Sequence, residues 1–126
     1  TEYRPHILGH LDILTRLVRQ GMVSLDTKAS WYREMWMEIS DKIARSGCLV
    51  EVNTSPIYRG QSREPYPSAE ILAMLWERKV PVILSSDAHQ KENLTGGFEA
   101  ASRLLGEIGY TTVQVLRPEG FVDVVL

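Results

Sequence analysis

A lone cysteine, Cys48, stands in a chain of 126 residues, so no internal disulfide can form and a small disulfide-stapled secreted scaffold is excluded. Blocks of lysine or arginine are also missing. The 14 basic and 16 acidic residues are spread along the length for a formal net charge of -2, which offers no basic track for a polyanion, and nucleic acid is not expected as a partner. No apolar run is long enough to span a bilayer, and no charged-then-apolar leader opens the chain, so no membrane is expected and the compartment reads as cytosolic. Internal repeats and low-complexity segments are absent.

What is present is enough apolar material for one core, with 44% hydrophobic residues, and residues 1–126 read as a single unit. The first residues run straight into the apolar stretch Ile7-Leu8-Gly9. The chain is therefore expected to be part of a larger folded unit whose N-terminal portion lies before Thr1.

His6 to His10 reads as a short buried strand, and Leu11 to Gln20 as a partly helical connection ending at Gly21. Between about Thr27 and Arg45, Tyr32, Trp36, Ile39 and Ile43 recur at spacings of three and four, which predicts an amphipathic helix stopped by Gly47. Cys48 to Asn53 follows as a strand, and Thr54 to Pro67 as a long loop. Ser68 can cap a helix carrying Ile71, Leu72, Leu75 and Trp76, and Val80 to Leu84 supplies another strand. A third helix from near Gly97 to Ile108, a strand from Thr111 to Leu116, a turn at Arg117-Pro118-Glu119-Gly120 and a closing strand complete the order. This alternation predicts an α/β fold of parallel strands with right-handed helical crossovers.

In such folds functional groups gather at the C-terminal strand ends. Three segments fall there: Gly9-His10-Leu11-Asp12, Asn53-Thr54-Ser55-Pro56 and Ser85-Ser86-Asp87-Ala88-His89. Asp87 and His89 put a carboxylate and an imidazole two residues apart where a hydrophobic strand ends, and these are ligand types that zinc, manganese and iron accept. An isolated Asp-x-His in a polar loop is more often a solvated pair, and it is the strand-end position that favours ligation. His10 ends another strand on what should be the same rim, although a lone histidine there is more often a hydrogen-bonded structural residue. Asp12 either holds the His10 ring by a hydrogen bond or caps the following turn. Arg16, Arg59 and Arg63 are each candidate clamps for an anionic substrate, since a guanidinium pairs with phosphate oxygens, although most arginines are solvated surface residues. Arg63 stays on that reading, and Arg16 and Arg59 rise above it only through a family resemblance. Asn53, Thr54 and Ser55 either line the pocket or merely end a strand. Cys48 and His6 sit at strand starts and read as structural, and the three tryptophans read as core.

Taken in order, Ile7-Leu8-Gly9-His10-Leu11-Asp12, Glu51-Val52-Asn53-Thr54-Ser55 with Tyr58-Arg59, Pro65-Tyr66-Pro67-Ser68, and Ser85-Ser86-Asp87-Ala88-His89 with Glu92-Asn93-Leu94 resemble the PHP superfamily, and within it the histidinol-phosphatase branch. The resemblance covers nearly the whole chain and corresponds to the C-terminal part of the family domain, a distorted seven-stranded (β/α)7 barrel holding up to three metals. It implies that His10, Asp87 and His89 are ligands of divalent zinc, manganese or iron. It further implies that water activated by the metal hydrolyses histidinol phosphate in histidine biosynthesis, with Arg16 and Arg59 holding the phosphate or the substrate. Metals suit this chemistry because they lower the pKa of bound water to about 7 and neutralise phosphoryl charge. The family's opening His-x-His pair, further histidines and bridging glutamate are expected before Thr1, so the chain alone is expected to be inactive. A PHP phosphoesterase with another substrate, and a degenerate PHP module serving structure or interaction, are the alternatives. Part of a barrel leaves open strand edges, and self-association is the expected consequence.

Overall fold

Alternating apolar periods of two and of 3.6 residues sort the chain into strands and helices in the expected order. The computed structural model describes residues 3–126; whatever precedes Thr1 lies outside the described residues. Strand β1 (Ile7–Leu8) leads through helix α1 (Leu14–Arg19) and helix α2 (Ser30–Ser46) to β2 (Leu49–Asn53). A helical turn α3 (Ser55–Tyr58) and helix α4 (Ala69–Glu77) precede β3 (Val82–Ser85). After a 3-10 turn at Lys91–Asn93 come helix α5 (Phe98–Ile108), β4 (Thr112–Arg117) and β5 (Gly120–Val125).

The strands form one five-stranded sheet in the order β1-β2-β3-β4-β5. The first four are parallel, and β5 returns antiparallel to β4 through a two-residue turn at Pro118-Glu119. An order that never reverses, built with right-handed crossovers, lays the connecting helices on one face of the sheet. The core agrees with that: Val50, Val52, Val82 and Val113, all of one strand parity, pack with Trp36 and Ile43 of α2, Leu72 and Leu75 of α4, and Ala101 and Leu105 of α5. Complete burial of side chains such as Val50, Leu72 and Leu105 contributes about 1.5–3 kcal/mol each. The opposite parity brings Glu51, Asn53, Ser85, Gln114 and Asp123 to the other face. The sheet curls across that face, for the His6 ring before β1 lies 6.4 Å from the Phe121 ring of β5, on the opposite sheet edge.

Several local expectations change. The first strand is two residues long and partly exposed rather than a buried run from His6 to His10, because His10 takes a left-handed backbone (φ 54°) that turns the chain out of the sheet. Helix α4 starts after Ser68 as expected, but the Ser68 side chain makes no capping bond; Glu64 Oε2 accepts from the Ala69 amide at 3.3 Å instead. Of the three tryptophans only Trp36 is core, Trp31 and Trp76 being about half exposed. Cys48 is buried, with Sγ 2.7 Å from Ser46 Oγ, and no helix among the described residues is long and apolar enough to cross a membrane.

Candidate metal and phosphate site

The loops after β1, β2 and β3 leave the sheet side by side, and the register fixes which residues meet. Because Leu8 pairs with Val50 and Asn53 with Ser85, Gly9-His10 emerges beside Glu51, and Ser86-Asp87 emerges beside Thr54. The Asp87 loop is tied down at both ends: Thr54 N–H donates to the Ser85 carbonyl at 2.8 Å, Thr54 Oγ1 donates to the Gly96 carbonyl, and Ser86 Oγ donates to the Leu94 carbonyl at 2.9 Å.

His10 and Asp87 face each other, with Nε2 of the ring 3.8 Å from Asp87 Oδ2. Both residues are left-handed, at φ 54° and 50°. Each such non-glycine residue costs roughly 1–2 kcal/mol, and strain of this kind persists where surrounding structure holds it, commonly at functional sites. Behind the His10 ring is Glu51, whose Oε2 accepts from the His10 amide at 2.7 Å and lies 3.4 Å from Nδ1. Glu51 lies in the Glu51-Val52-Asn53-Thr54-Ser55 segment that carries the family resemblance, but the sequence assigns it no role; its other signal is a carboxylate in mid-strand between the apolar Val50 and Val52.

His89 stands on the other side of Asp87, its Nδ1 2.8 Å from the Asp87 carbonyl. Arg59 Nη2 donates to the same carbonyl at 3.3 Å and lies 3.3 Å from His89 Nδ1. The shorter contact makes Nδ1 the protonated ring nitrogen, so the approach of Arg59 to that nitrogen is not a hydrogen bond. Tyr58 OH adds a third donor to the Asp87 carbonyl at 3.4 Å, and its ring lies 5.6 Å from the Arg59 guanidinium carbon, within cation–π range. Tyr58, Arg59, His89, Gln90 and Asn93 line an open cleft of about 340 Å³.

Asp12 caps the following turn, though through its backbone, and its carboxylate bonds Tyr32 rather than the His10 ring. Its buried carboxylate accepts from Tyr32 OH at 2.6 Å, and the cap to the next turn comes from its backbone carbonyl, which accepts from Thr15 N–H and Thr15 Oγ1. Burial raises the Asp12 carboxyl above its usual range, partly offset by the Tyr32 hydrogen bond. Burial, with the Asp12 bond second, pushes Tyr32 up to about 12. Tyr32→Phe is expected to lower stability by about 1–3 kcal/mol by removing one of the hydrogen bonds to the buried Asp12 carboxyl, read by urea unfolding near neutral pH. A phenol whose folded pKa exceeds its unfolded value of 10.0 contributes stability below that value and loses it as pH climbs towards 12. The Phe variant should accordingly show a shallower alkaline fall.

Arg16 lies exposed on α1, whereas Arg19 donates to Tyr66 OH and lies over the Tyr66 ring. Asn53 is almost fully buried at the end of β2; its Oδ1 accepts from the Ser55 amide at 3.0 Å, which leaves Nδ2 as a buried donor without a protein partner. Among the described residues no group of three or more His, Cys, Asp or Glu side chains is arranged to hold a metal ion. The donors that do converge, imidazole and carboxylate, suit a borderline divalent cation.

The sheet, its helices and the groups on its C-terminal rim define an α/β protein with a polar strand-end site rich in imidazole, carboxylate and guanidinium. No family model matches the chain. It is 32% identical over 73 residues to the protein named "Probable histidinol-phosphatase" of Deinococcus radiodurans, an alignment that covers 58% of this chain and 28% of that relative. The chain thus matches little more than a quarter of the curated relative's length.

Proposed function

We propose that this chain contributes one side of a metal-dependent phosphomonoesterase site of the PHP type, and that the protein to which it belongs hydrolyses histidinol phosphate to histidinol and phosphate. The observation that supports this best is the way the rings of His10 and His89 are held. Each has an acceptor on its Nδ1 side, a carboxylate for His10 and a carbonyl for His89, and the Nε2 of His10 faces Asp87. Ligating histidines are oriented in this manner, through the ring nitrogen that does not bind the metal.

In this reading His10, Asp87 and His89 hold a divalent zinc, manganese or iron ion. Such an ion supplies a Lewis acid that acidifies water and neutralises charge on the phosphoryl oxygens. Arg59 then anchors the phosphate in the cleft beside His89, with Arg16 a second cation. The Asn53 amide, buried with a free N–H, is an additional donor for an oxygen entering the site.

Metal analysis of the purified chain, with Asp87→Asn and His89→Ala beside the wild type, tests the reading. A wild-type chain that stays folded and takes up no zinc, manganese or iron removes it. In the protein that carries the complete site, Arg59→Ala should weaken competitive inhibition by inorganic phosphate roughly 10-fold or more, as expected for loss of a hydrogen bond to a charged group worth about 1.5–3 kcal/mol. An unchanged inhibition constant would remove Arg59 from the phosphate site.

A further inference from the structure

We infer that Glu51 is the positioning residue of the candidate site, fixing the His10 ring with Nδ1 protonated and Nε2 turned to Asp87. Where the inference concerns metal it rests on the function proposed above; where it concerns the ring it stands alone.

Three observations carry it. First, one oxygen of Glu51 serves both halves of His10, at 2.7 Å from the backbone amide and 3.4 Å from ring Nδ1. The amide bond holds the residue in its left-handed conformation, and the nearby negative charge favours a proton on Nδ1. Second, the Glu51 side chain is only 12% exposed, and a carboxylate withdrawn from water costs stability unless it is hydrogen-bonded; the His10 amide provides that bond, with the polar ring nitrogen Nδ1 3.4 Å away. Third, Gly9 makes room for it. A Cβ at Gly9 would come within 3.1 Å of Glu51 Oε2, tighter than ordinary van der Waals contact, although the Gly9 backbone is not left-handed. What fills the space beside Gly9 is the carboxylate, which would have to give by a few tenths of an ångström to admit a side chain there. Asp12, the acid nearest in sequence, is already engaged by Tyr32.

The two histidines are thereby oriented by unlike groups. The Asp87 carbonyl that receives His89 is neutral and shared with Arg59 and Tyr58, whereas Glu51 is a carboxylate directed at His10. A carboxylate on the second ring nitrogen makes the other nitrogen a stronger donor to a cation.

The test uses the full chain, metal-free and 15N-histidine-labelled, at about pH 8, where an ordinary imidazole is neutral. Long-range proton–nitrogen spectra, with His10→Asn to assign the ring, should show His10 as the Nδ1–H tautomer in the wild type. Both tautomers should be populated in Glu51→Ala, with part of the bias recovered in Glu51→Gln. In parallel, Co2+ titration followed by absorbance should show Glu51→Ala binding roughly 10- to 100-fold more weakly, the usual effect of losing an outer-shell partner, with Glu51→Gln between. Should the Ala variant fail to fold, Gly9→Ala keeps the test open. It leaves the carboxylate in place chemically but displaces it, and should weaken Co2+ binding and loosen the tautomer bias. A wild-type ring in the Nε2–H form, or folded Glu51 and Gly9 variants with unchanged tautomer and affinity, overturns the assignment. A wild type with the Nδ1–H form but no Co2+ uptake overturns the metal-dependent function while supporting the role of Glu51.

Discussion

Asp87→Asn should abolish measurable uptake of divalent metal while leaving the fold intact. The choice of asparagine matters because Asp87 sits at φ 50°, and asparagine shares with aspartate an unusual tolerance of the left-handed region. Alanine would confound the loss of a ligand with backbone strain. The hydrogen bonds that hold this loop involve the Asp87 carbonyl and its neighbours Ser86 and Thr54, not the carboxylate. Stability should therefore stay within about 0.5 kcal/mol of wild type, as for most surface changes. Metal affinity should fall further than the roughly 10- to 100-fold typical of outer-shell groups, because here a charged donor itself is lost. In the protein that carries the complete site, phosphate release from histidinol phosphate should fall with it. An Asp87→Asn chain that binds metal as tightly as wild type would show that this carboxylate, and with it the His10–Asp87 pair, is not the metal site.

How far the sequence foretold this arrangement depends on how local each feature is. Helices α2 and α5 were legible because their buried stripes, Tyr32-Trp36-Ile43 and Ala101-Leu105, are periodic and end at glycines. The parallel sheet followed from the alternation, and with it the rule that His10 and Asp87 should leave their strands at the same rim. The partners of the acids were not legible. Glu51 reaches His10 across 41 positions, and Asp12 reaches Tyr32 across 20, choices made by strand register and helix packing rather than by spacing. The brevity of β1 was hidden for a related reason: apolar residues up to Leu8 suggest a longer strand, but the left-handed turn at His10 is held by the distant Glu51. Exposure of Trp31 and Trp76 escaped the reading because aromatic residues on α2 and α4 lie next to the buried stripe, and one position around a helix decides between core and surface.

Gly97→Val is the substitution expected to disturb fold and site together. Gly97 is left-handed at φ 75°, and a Cβ there would lie 3.1 Å from both the Cβ and the carbonyl oxygen of Thr54 and 3.3 Å from Ile57 Cβ. Thr54 is completely buried, and its backbone amide is bonded to Ser85, so no flexible side chain can swing away. A β-branched residue pays the left-handed penalty of roughly 1–2 kcal/mol and an overpacking cost of about 1–3 kcal/mol. The expected loss, about 2–5 kcal/mol, is a large part of the total stability of a domain this size and should lower the melting temperature by roughly 10–20 °C. In whatever fraction stays folded, the strain passes along α3 to Tyr58 and Arg59, so phosphate competition should weaken as well. Gly106, in the same region on α5, is the control. Nothing lies within 4 Å of its notional Cβ, and Gly106→Ala should raise stability by about 0.5–1 kcal/mol, since a mid-helix glycine gives way to a better helix former. The opposite signs separate close packing from a general intolerance of change at glycine. Should Gly97→Val melt within two or three degrees of wild type, the loop bearing Asp87 and His89 is not seated on Thr54 as described, and the geometry of the candidate site falls with it.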